Sequence, residues 1–467
     1  MSVYTKTVSL LRLFKQALKG EEENYTAGSI DRAIFLLSIP MILEMLMESL
    51  FAIVDAFYVS RLGVDALATV SLTESMLTIV YSLAIGLSMG ATAMVARRVG
   101  EQNIPEAAKA GVQAIYLATG ISILISAFGL LFAENVLSLM GASESVVQSG
   151  SGYTRWMLGG NITVMLIFLI NAIFRGAGDA SLAMRVLILS NGLNIMLDPI
   201  FIFGFGPVPA FGVEGAAIAT NIGRGIGVLY QVSHLLFGKG LIKIHRQNLP
   251  ADWGVIWRLI KVSVGGTSQF IIASASWIFL VRIVSHFGSA ALAGYTIAIR
   301  VIVFAILPAW GMANASATLV GQNLGAGQPD RAEQSVWRTG FFNMIFLALI
   351  TVIFFTLAKP IVELFTSEPA VLTSAIQCLQ IVSLGYIFYA YGMVIAQSFN
   401  GAGDTRTPTV LNFFGFWLFQ IPLAYFLAIV WDMGPRGTYL AIVIAESALA
   451  IVSVLIFRRG KWKAAKI

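Results

Sequence analysis

FRGAGD at residues 174–179 is followed 225 residues later by FNGAGD at residues 399–404. The same offset places GVDALA, residues 63–68, opposite GSAALA, residues 288–293. Chance similarity would not keep one register over such a distance, so the chain contains an internal duplication. The sequence therefore predicts two structurally related halves.

Long apolar stretches separate the repeated motifs. Of the 467 residues, 57% are hydrophobic and only 12% are charged, whereas soluble domains carry about a quarter charged residues. A helix that crosses a bilayer needs about 20 mainly apolar residues, so the composition excludes an ordinary water-soluble fold. Twelve helices are predicted, at residues 31–58, 67–95, 106–132, 145–174, 181–204, 213–237, 255–285, 291–320, 331–357, 369–399, 407–431 and 435–457.

The predicted fold class is an all-α membrane protein with twelve transmembrane helices in two pseudo-symmetric six-helix lobes. An even number of spans separates the two copies, so both have the same orientation, related by a pseudo-twofold axis along the membrane normal. The predicted organisation is a cytoplasmic N-terminal segment (1–28), an N-lobe (29–237), a cytoplasmic linker (238–254), a C-lobe (255–458) and a basic cytoplasmic tail (459–467).

The orientation follows from the basic residues. Most of the 30 lysines and arginines fall in the terminal segments and in the connectors that share their side, so the positive-inside rule predicts that both termini are cytoplasmic. Residues 1–28 contain basic residues among apolar ones, followed by three consecutive glutamates. This pattern is consistent with an interfacial amphipathic helix or with a disordered tail. Ser29, followed by Asp31, resembles the capped start of the first membrane helix.

Several kinds of site are missing from the sequence. Cys378 is the only cysteine and the three histidines are scattered, which excludes an intramolecular disulfide and disfavours a metal centre. No nucleotide-binding G-x-x-x-x-G-K-[ST] loop and no hydrolytic H-E-x-x-H or G-x-S-x-G motif occurs. We therefore expect neither an enzyme nor a cofactor, and we interpret the net charge of +6 as a topology signal rather than as a nucleic-acid site.

Ionisable residues inside the membrane are costly and are candidates for function. Glu44, Glu48 and Asp55 stand at positions i, i+4 and i+11 of the first helix, within about 40° of one another around its axis. Their shared face is expected to point into the lobe or into the cleft between lobes. For Glu44 and Glu48, a functional and a purely structural role are equally consistent with the sequence.

The fifth helix carries Asn194 and Asp198 one turn apart, with Pro199 directly after the aspartate. The proline frees a backbone carbonyl, and carboxylate, amide and carbonyl oxygens suit Na⁺ or a proton-sharing network. The alternative is that these groups join helices through ordinary buried hydrogen bonds. We favour function for Asp55 and Asp198.

The duplication makes the two lobes unequal in charge. Asp55 falls opposite Leu280, and Glu44 falls opposite Gln269. After the fifth helix the offset falls to 222 residues, so that Arg224 and Glu446 occupy equivalent positions. Because the acids are concentrated in the first lobe, we expect the first lobe to bind the coupling ion and the second to contribute mainly to the substrate cavity.

NIMLDP at residues 194–199, GVEGAA at 212–217 and FRGAGD at 174–179 resemble motifs of the MATE (multidrug and toxic compound extrusion) family, most closely its DinF-like branch. This resemblance covers residues 30–458 and implies secondary active efflux. Carried over by position, it implies a cation site for H⁺ or Na⁺ at Asp55, Asn194, Asp198 and Thr220, with Tyr153 and Asn171 in the surrounding polar network. Glu44 and Glu48 depart from the pattern of that branch and are candidates for accessory acids.

The resulting hypothesis is a monomeric antiporter of the inner (cytoplasmic) membrane of a prokaryote. It would exchange amphipathic, often cationic compounds for H⁺ or Na⁺ by alternating access, with the lipid bilayer as its only other partner. The rival hypothesis is a flippase for a lipid-linked sugar or a peptidoglycan precursor. A flippase should have a basic cavity for pyrophosphate, whereas the acidic residues predicted at membrane depth outnumber the arginines there, six to four.

Overall fold

The computed structural model describes residues 12–20, 24–465 and 467. This part of the chain is helical apart from its connectors, and contains no β-strand beyond an isolated bridge between Phe205 and Val208. The membrane-length helices are α1 Ile30–Ser60, α2 Val64–Gly100, α3 Ile104–Leu139, α4 Glu144–Ala177, α5 Ala180–Phe203, α6 Val213–Phe237, α7 Trp253–Ser285, α8 Ser289–Gly325, α9 Pro329–Glu363, α10 Pro369–Ser383 with Tyr386–Ala402, α11 Arg406–Val430 and α12 Pro435–Arg458.

The twelve helices correspond one to one with the twelve predicted from the sequence. Ten of those in the described residues are long and apolar enough to cross a membrane, and α10 is an eleventh if its two segments, bent by 60°, form one span. The remaining helix, α6, has 25 residues but carries Glu214 and Arg224. Several helices continue beyond the predicted limits: α2, for example, was predicted at residues 67–95. The apolar stretch defines the membrane core, whereas a helix can continue into the aqueous layer.

The repeated GAGD motif is a helix-to-helix turn. Gly178 and Gly403 adopt left-handed backbone conformations, with φ of +96° and +90°, and end α4 and α10. A glycine adopts this conformation without steric cost. Asp179 then accepts a hydrogen bond from the Leu182 backbone N–H and caps α5, which satisfies one of the free donors of the first turn.

The two halves, α1–α6 and α7–α12, pack with twofold pseudo-symmetry. A Cβ atom on Gly100 would collide with the Gln322 carbonyl, and a Cβ atom on Gly325 would collide with the Arg97 carbonyl. The 225-residue offset exchanges these two contacts. It also exchanges the close approach of Gly86 to Thr267 with that of Gly311 to Ile42. Glycines thus let α2 and α8 each approach the opposite half closely.

Hydrogen bonds join the halves at one face of the bundle. Thr318 Oγ1 donates to the Arg175 carbonyl at 3.1 Å, and Gln322 Nε2 donates to the Gly176 carbonyl at 3.0 Å. We call this the terminal face, because residues 24–29 and 459–465 also lie there. On the opposite face, no hydrogen bond or ion pair joins the halves in the described residues. Within the described residues, the hydrogen bonds and ion pairs between the halves are therefore confined to the terminal face.

The linker is fixed to α3 rather than free. Gln113 Nε2 donates to the Pro250 carbonyl at 3.1 Å, and Lys109 Nζ lies 2.7 Å from Asp252 Oδ2. The hydrogen bond from Lys109 holds the pKa of Asp252 below its usual range. Asp252 also caps α7, which begins at Trp253, two residues before its predicted start.

The terminal segments bind both halves. Arg97 of α2 donates to the Ala465 carbonyl at 2.9 Å, while Lys463 lies 2.6 Å from Glu333 of α9. Trp462 anchors this tail, being 1% exposed and stacked on Phe457. At the other end of the chain, residues 12–19 are helical and Ser29 caps α1 as predicted. The rest of the predicted N-terminal amphipathic helix, residues 1–11 and 21–23, lies outside the described residues.

Candidate functional site

A chain of hydrogen bonds links α5 to α6 in the first half. Asn194 Nδ2 donates to Asp198 Oδ1 at 3.1 Å and to Thr220 Oγ1 at 3.2 Å. Residues four apart on a helix lie on one face, which brings the amide to the carboxylate. Asp198 has no exposed surface. Pro199 inside α5 lacks an N–H, so the carbonyl of Ile195 loses its helical donor.

Asp55 of α1 lies near this group without bonding to it. It is 8% exposed and forms no ion pair or hydrogen bond with the described residues. Asp55 and Asp198 are close enough to repel each other electrostatically. Both carboxylates also lie close enough to the buried Tyr153 hydroxyl of α4 to interact with it electrostatically. The structure thus brings together five of the six residues that the resemblance assigned to the cation site and its network.

Three buried oxygens of this cluster have no hydrogen-bond donor: Asp55 Oδ1, Asn194 Oδ1 and Asp198 Oδ2. Leaving a buried polar atom unpaired costs about 1–3 kcal/mol. Oxygen atoms of this kind can bind a proton or a Na⁺ ion, either of which would offset their negative charge. In the described residues, no group of three or more His, Cys, Asp or Glu side chains is arranged to hold a metal ion.

Glu44 belongs to a second, separate cluster. Its Oε1 accepts from Arg175 Nη1 at 2.5 Å and from Asn171 Nδ2 at 3.2 Å, and Gln231 Nε2 donates to Asn171 Oδ1 at 2.7 Å. All four side chains are buried. Asn171 therefore bonds to the Glu44 cluster and not to Asp55 or Asp198. The sequence analysis missed Arg175, although it lies within the repeated FRGAGD motif.

Glu48 is paired as well. Its Oε1 lies 3.1 Å from Arg224 Nη2, and Arg224 Nη1 donates to the Tyr81 hydroxyl at 3.3 Å. The Arg224 guanidinium also lies over the Phe51 ring, 4.9 Å from its centroid, in cation–π geometry. Of the three acids on the shared face of α1, Asp55 is the one that forms no ion pair with an arginine of the described residues.

Helix α1, which carries Asp55, contacts both halves. It packs against α5 in its own half and against α8 in the other half, and it makes few contacts with its sequence neighbour α2. The two ion pairs attach its segment nearer the terminal face to α4 and α6. Beyond them, Leu50, Ile53 and Phe57 are exposed.

Comparison with known proteins agrees with this architecture. The model of the family described as MatE matches residues 40–200 and 268–426, once in each half. The chain belongs to the MatE family. Its placement in the DinF-like branch stays a prediction.

Similar proteins in this family match along nearly their whole length. A probable multidrug resistance protein NorM of Thermotoga maritima is 25% identical, over 97% of this chain and 96% of the relative. A protein of Shewanella oneidensis named FAD transporter is 26% identical, over 93% of this chain and 95% of the relative. A structure described as the outward-facing conformation of a multidrug resistance MATE family transporter has a TM-score of 0.88 and 27% identity, and the match covers 97% of this chain and 98% of that one.

These matches establish the class of the protein. MATE proteins are transporters rather than enzymes, and they need no cofactor. The chain is accordingly a multi-pass membrane transporter of small compounds, as the sequence analysis predicted. Its twelve helices in two related lobes are those of MATE transporter structures.

Proposed function

We propose that this transporter is a multidrug antiporter, which exports amphipathic, often cationic compounds in exchange for H⁺ or Na⁺. The observation that carries the proposal is the set of buried, unpaired oxygens of Asp55, Asn194 and Asp198. The cluster lies beside α1, the helix that contacts both halves. Binding of the coupling ion there removes the repulsion between the two carboxylates, and this gives the ion a different affinity for states that pack α1 differently, as coupling requires.

The proposed topology places the terminal face in the cytoplasm of a prokaryotic cell, with the protein in the inner membrane and both termini cytoplasmic. The distribution of lysine and arginine supports this orientation. Because the hydrogen bonds and ion pairs between the halves in the described residues lie at the terminal face, the present conformation is then closed toward the cytoplasm. Alternating access requires the bonds of Thr318, Gln322 and Arg97 to the opposite half to break when the cytoplasmic side opens.

A flippase for lipid-linked precursors is less well supported. Such a substrate needs free basic groups for its pyrophosphate. The two buried arginines of the first half, Arg175 and Arg224, are each neutralised by a glutamate of α1. In the part of the chain that the structure describes, no basic residue lines the second-half cavity.

The test is transport of a fluorescent organic cation by proteoliposomes under an imposed pH gradient, an imposed Na⁺ gradient or neither. We expect one gradient to drive uphill export and thereby to identify the coupling ion. Asp55→Asn keeps the side-chain size but removes the charge, so it should reduce gradient-driven export at least tenfold. Uphill export retained in Asp55→Asn would contradict the assignment.

Asp65→Asn is the matched control, because Asp65 is an exposed aspartate in the first turn of α2. Export by this variant should equal that of the unmodified chain. Both variants should elute as folded protein in gel filtration. If the folded, unmodified chain transported no cation under any gradient, the antiporter proposal would fail and the flippase would be tested next.

A further inference from the structure

The second half contains a cavity of about 380 Å³ between α7, α8, α10, α11 and α12, bounded on one side by α2. Much of its wall is aromatic, with side chains Phe270, Trp277, Trp310, Tyr389 and Phe416. Helix α11 has a π-helical turn at Phe413–Gln420, where it borders this space. Apolar and aromatic walls of this kind are typical of small-molecule sites.

Among the described residues that line the cavity, Glu446 of α12 is the one that carries a charge. It forms no hydrogen bond and no ion pair with the described residues, and no other charged group acts on it appreciably. Among the described residues of the lining, Tyr389 is the other titratable group, and it lies close enough to Glu446 to interact with it electrostatically. A lone carboxylate at membrane depth is costly, so a counter-charge would stabilise it strongly.

The internal repeat identifies the residues that occupy the equivalent positions in the first half. Glu446 is the repeat equivalent of Arg224, and Ala273 is the equivalent of Glu48. In the first half these positions hold a salt bridge at 3.1 Å. In the second half Ala273 lines the cavity together with Glu446. The cavity thus occupies the region where the first half has an arginine and its partner.

We propose that this cavity binds a hydrophobic organic cation with a single positive charge, and that Glu446 is its counter-charge. The polarity of the first-half pair is reversed here: Glu446 stands where the first half has the Arg224 guanidinium, and the ligand's cation lies on the Ala273 side, where the first half has Glu48. The tryptophans of the lining add cation–π attraction. The site rests on the proposed function only in so far as the bound cation is then exported, whereas its binding is independent of any ion gradient.

The test measures binding of radiolabelled tetraphenylphosphonium to the detergent-solubilised full chain by equilibrium dialysis, without a gradient. Tetraphenylborate, an anion of the same shape, is the comparison ligand. We expect the phosphonium to bind and the borate to compete poorly. Glu446→Gln should weaken phosphonium binding at least tenfold, which corresponds to about 1.4 kcal/mol. The control Glu144→Gln, which removes an exposed carboxylate at the start of α4, should bind as the unmodified chain does.

A second variant covers the case in which Glu446→Gln does not fold. Glu446→Arg combined with Ala273→Glu places the first-half ion pair in the second half, and it should abolish phosphonium binding while the protein elutes as a folded monodisperse species. Unchanged binding in either folded variant, or equal binding of the borate, would overturn the proposal.

The two proposals fail separately. Glu446-dependent phosphonium binding without any gradient-driven export would leave the cavity assignment standing and contradict the antiporter. Gradient-driven export that depends on Asp55, together with phosphonium binding that is independent of Glu446, would support the antiporter and contradict the cavity assignment.

Discussion

The first half has a buried ion pair where the second half has a pair of amides. Glu44 Oε1 and Arg175 Nη1 are 2.5 Å apart. The 225-residue offset converts these residues into Gln269 and Asn400, and Gln269 Nε2 donates to Asn400 Oδ1 at 2.9 Å. Asn400 Nδ2 donates back to Gln269 Oε1 at 3.2 Å. The same helix contact is therefore made once with charge and once without.

The difference between these two contacts shows which of their features, charge or hydrogen bonding, helix packing requires. A buried ion pair is often no more stabilising than a well-packed neutral replacement, because desolvation offsets the attraction between the charges. The amide pair of the second half shows that hydrogen bonding suffices to join these two helices. We infer that the charges of Glu44 and Arg175 serve the transport cycle rather than the fold. The predictions below test this inference by making one half resemble the other.

The largest effect on stability is expected for Glu44→Gln alone. This change leaves the buried Arg175 without a counter-charge, and removing one partner of a buried pair costs about 3–5 kcal/mol. The double variant Glu44→Gln with Arg175→Asn recreates the second-half pair and should regain most of that loss. The free energy of unfolding in mixed micelles gives both values. Glu134→Gln, in an exposed pair with Arg155, is the control and should change stability by less than about 1 kcal/mol.

A double variant as unstable as the single one would show that the fold does need the charges. If the double variant is stable, its gradient-driven export in proteoliposomes decides the second part of the inference. Loss of export from a stable protein would assign the Glu44–Arg175 pair to the transport cycle. Full export would leave the pair without a transport role.

A smaller effect is expected for Arg224→Gln. The substitution removes the bond to Glu48 and the stacking on Phe51, but Glu48 is 25% exposed and regains water contacts. We expect a loss of about 2 kcal/mol, between the cost of an unpaired buried group and that of an exposed pair. The unfolding measurement should give less than about 1 kcal/mol for Arg155→Gln, because that arginine is exposed. Equal losses for the two variants would contradict the ranking.

The sequence predicted the architecture but only part of the site. Hydrophobic runs of membrane length and the duplication were sufficient for the twelve helices and two halves. The i, i+4 spacing also indicated the contact between Asn194 and Asp198, because helix geometry alone determines it. Spacing on α1 placed Glu44, Glu48 and Asp55 on one face, yet the three side chains contact different neighbours.

Those neighbours depend on helix packing, which no local pattern encodes. Arg175 lies in the FRGAGD motif, which the sequence analysis used only for the repeat and for the family resemblance, and Asn171 was assigned to the Asp198 network on resemblance alone. The repeat did contain a signal for the ion pair. Glu44 and Arg175 are replaced together by Gln269 and Asn400, and a joint change of this kind indicates contact. Only the three-dimensional structure shows that Glu446 lines a cavity, since burial of a single acid leaves no pattern in the sequence.

The smallest effect is expected for Gln269→Ala, in the neutral pair of the second half. No charge is left uncompensated, and Asn400 keeps its hydrogen bond to Gln397 Oε1 at 3.2 Å. The Thr405 carbonyl, which also accepts from Gln269, keeps the Thr409 hydroxyl as a donor. The loss should therefore be about 1 kcal/mol, the lower end of the cost of leaving Asn400 Oδ1 unpaired. Gln377→Ala, which removes an exposed bond to Arg436, should cost less than about 0.5 kcal/mol. A loss for Gln269→Ala as large as that for Glu44→Gln would mean that the two contacts carry equal weight whatever their charge, and the inference drawn from comparing the halves would then be wrong.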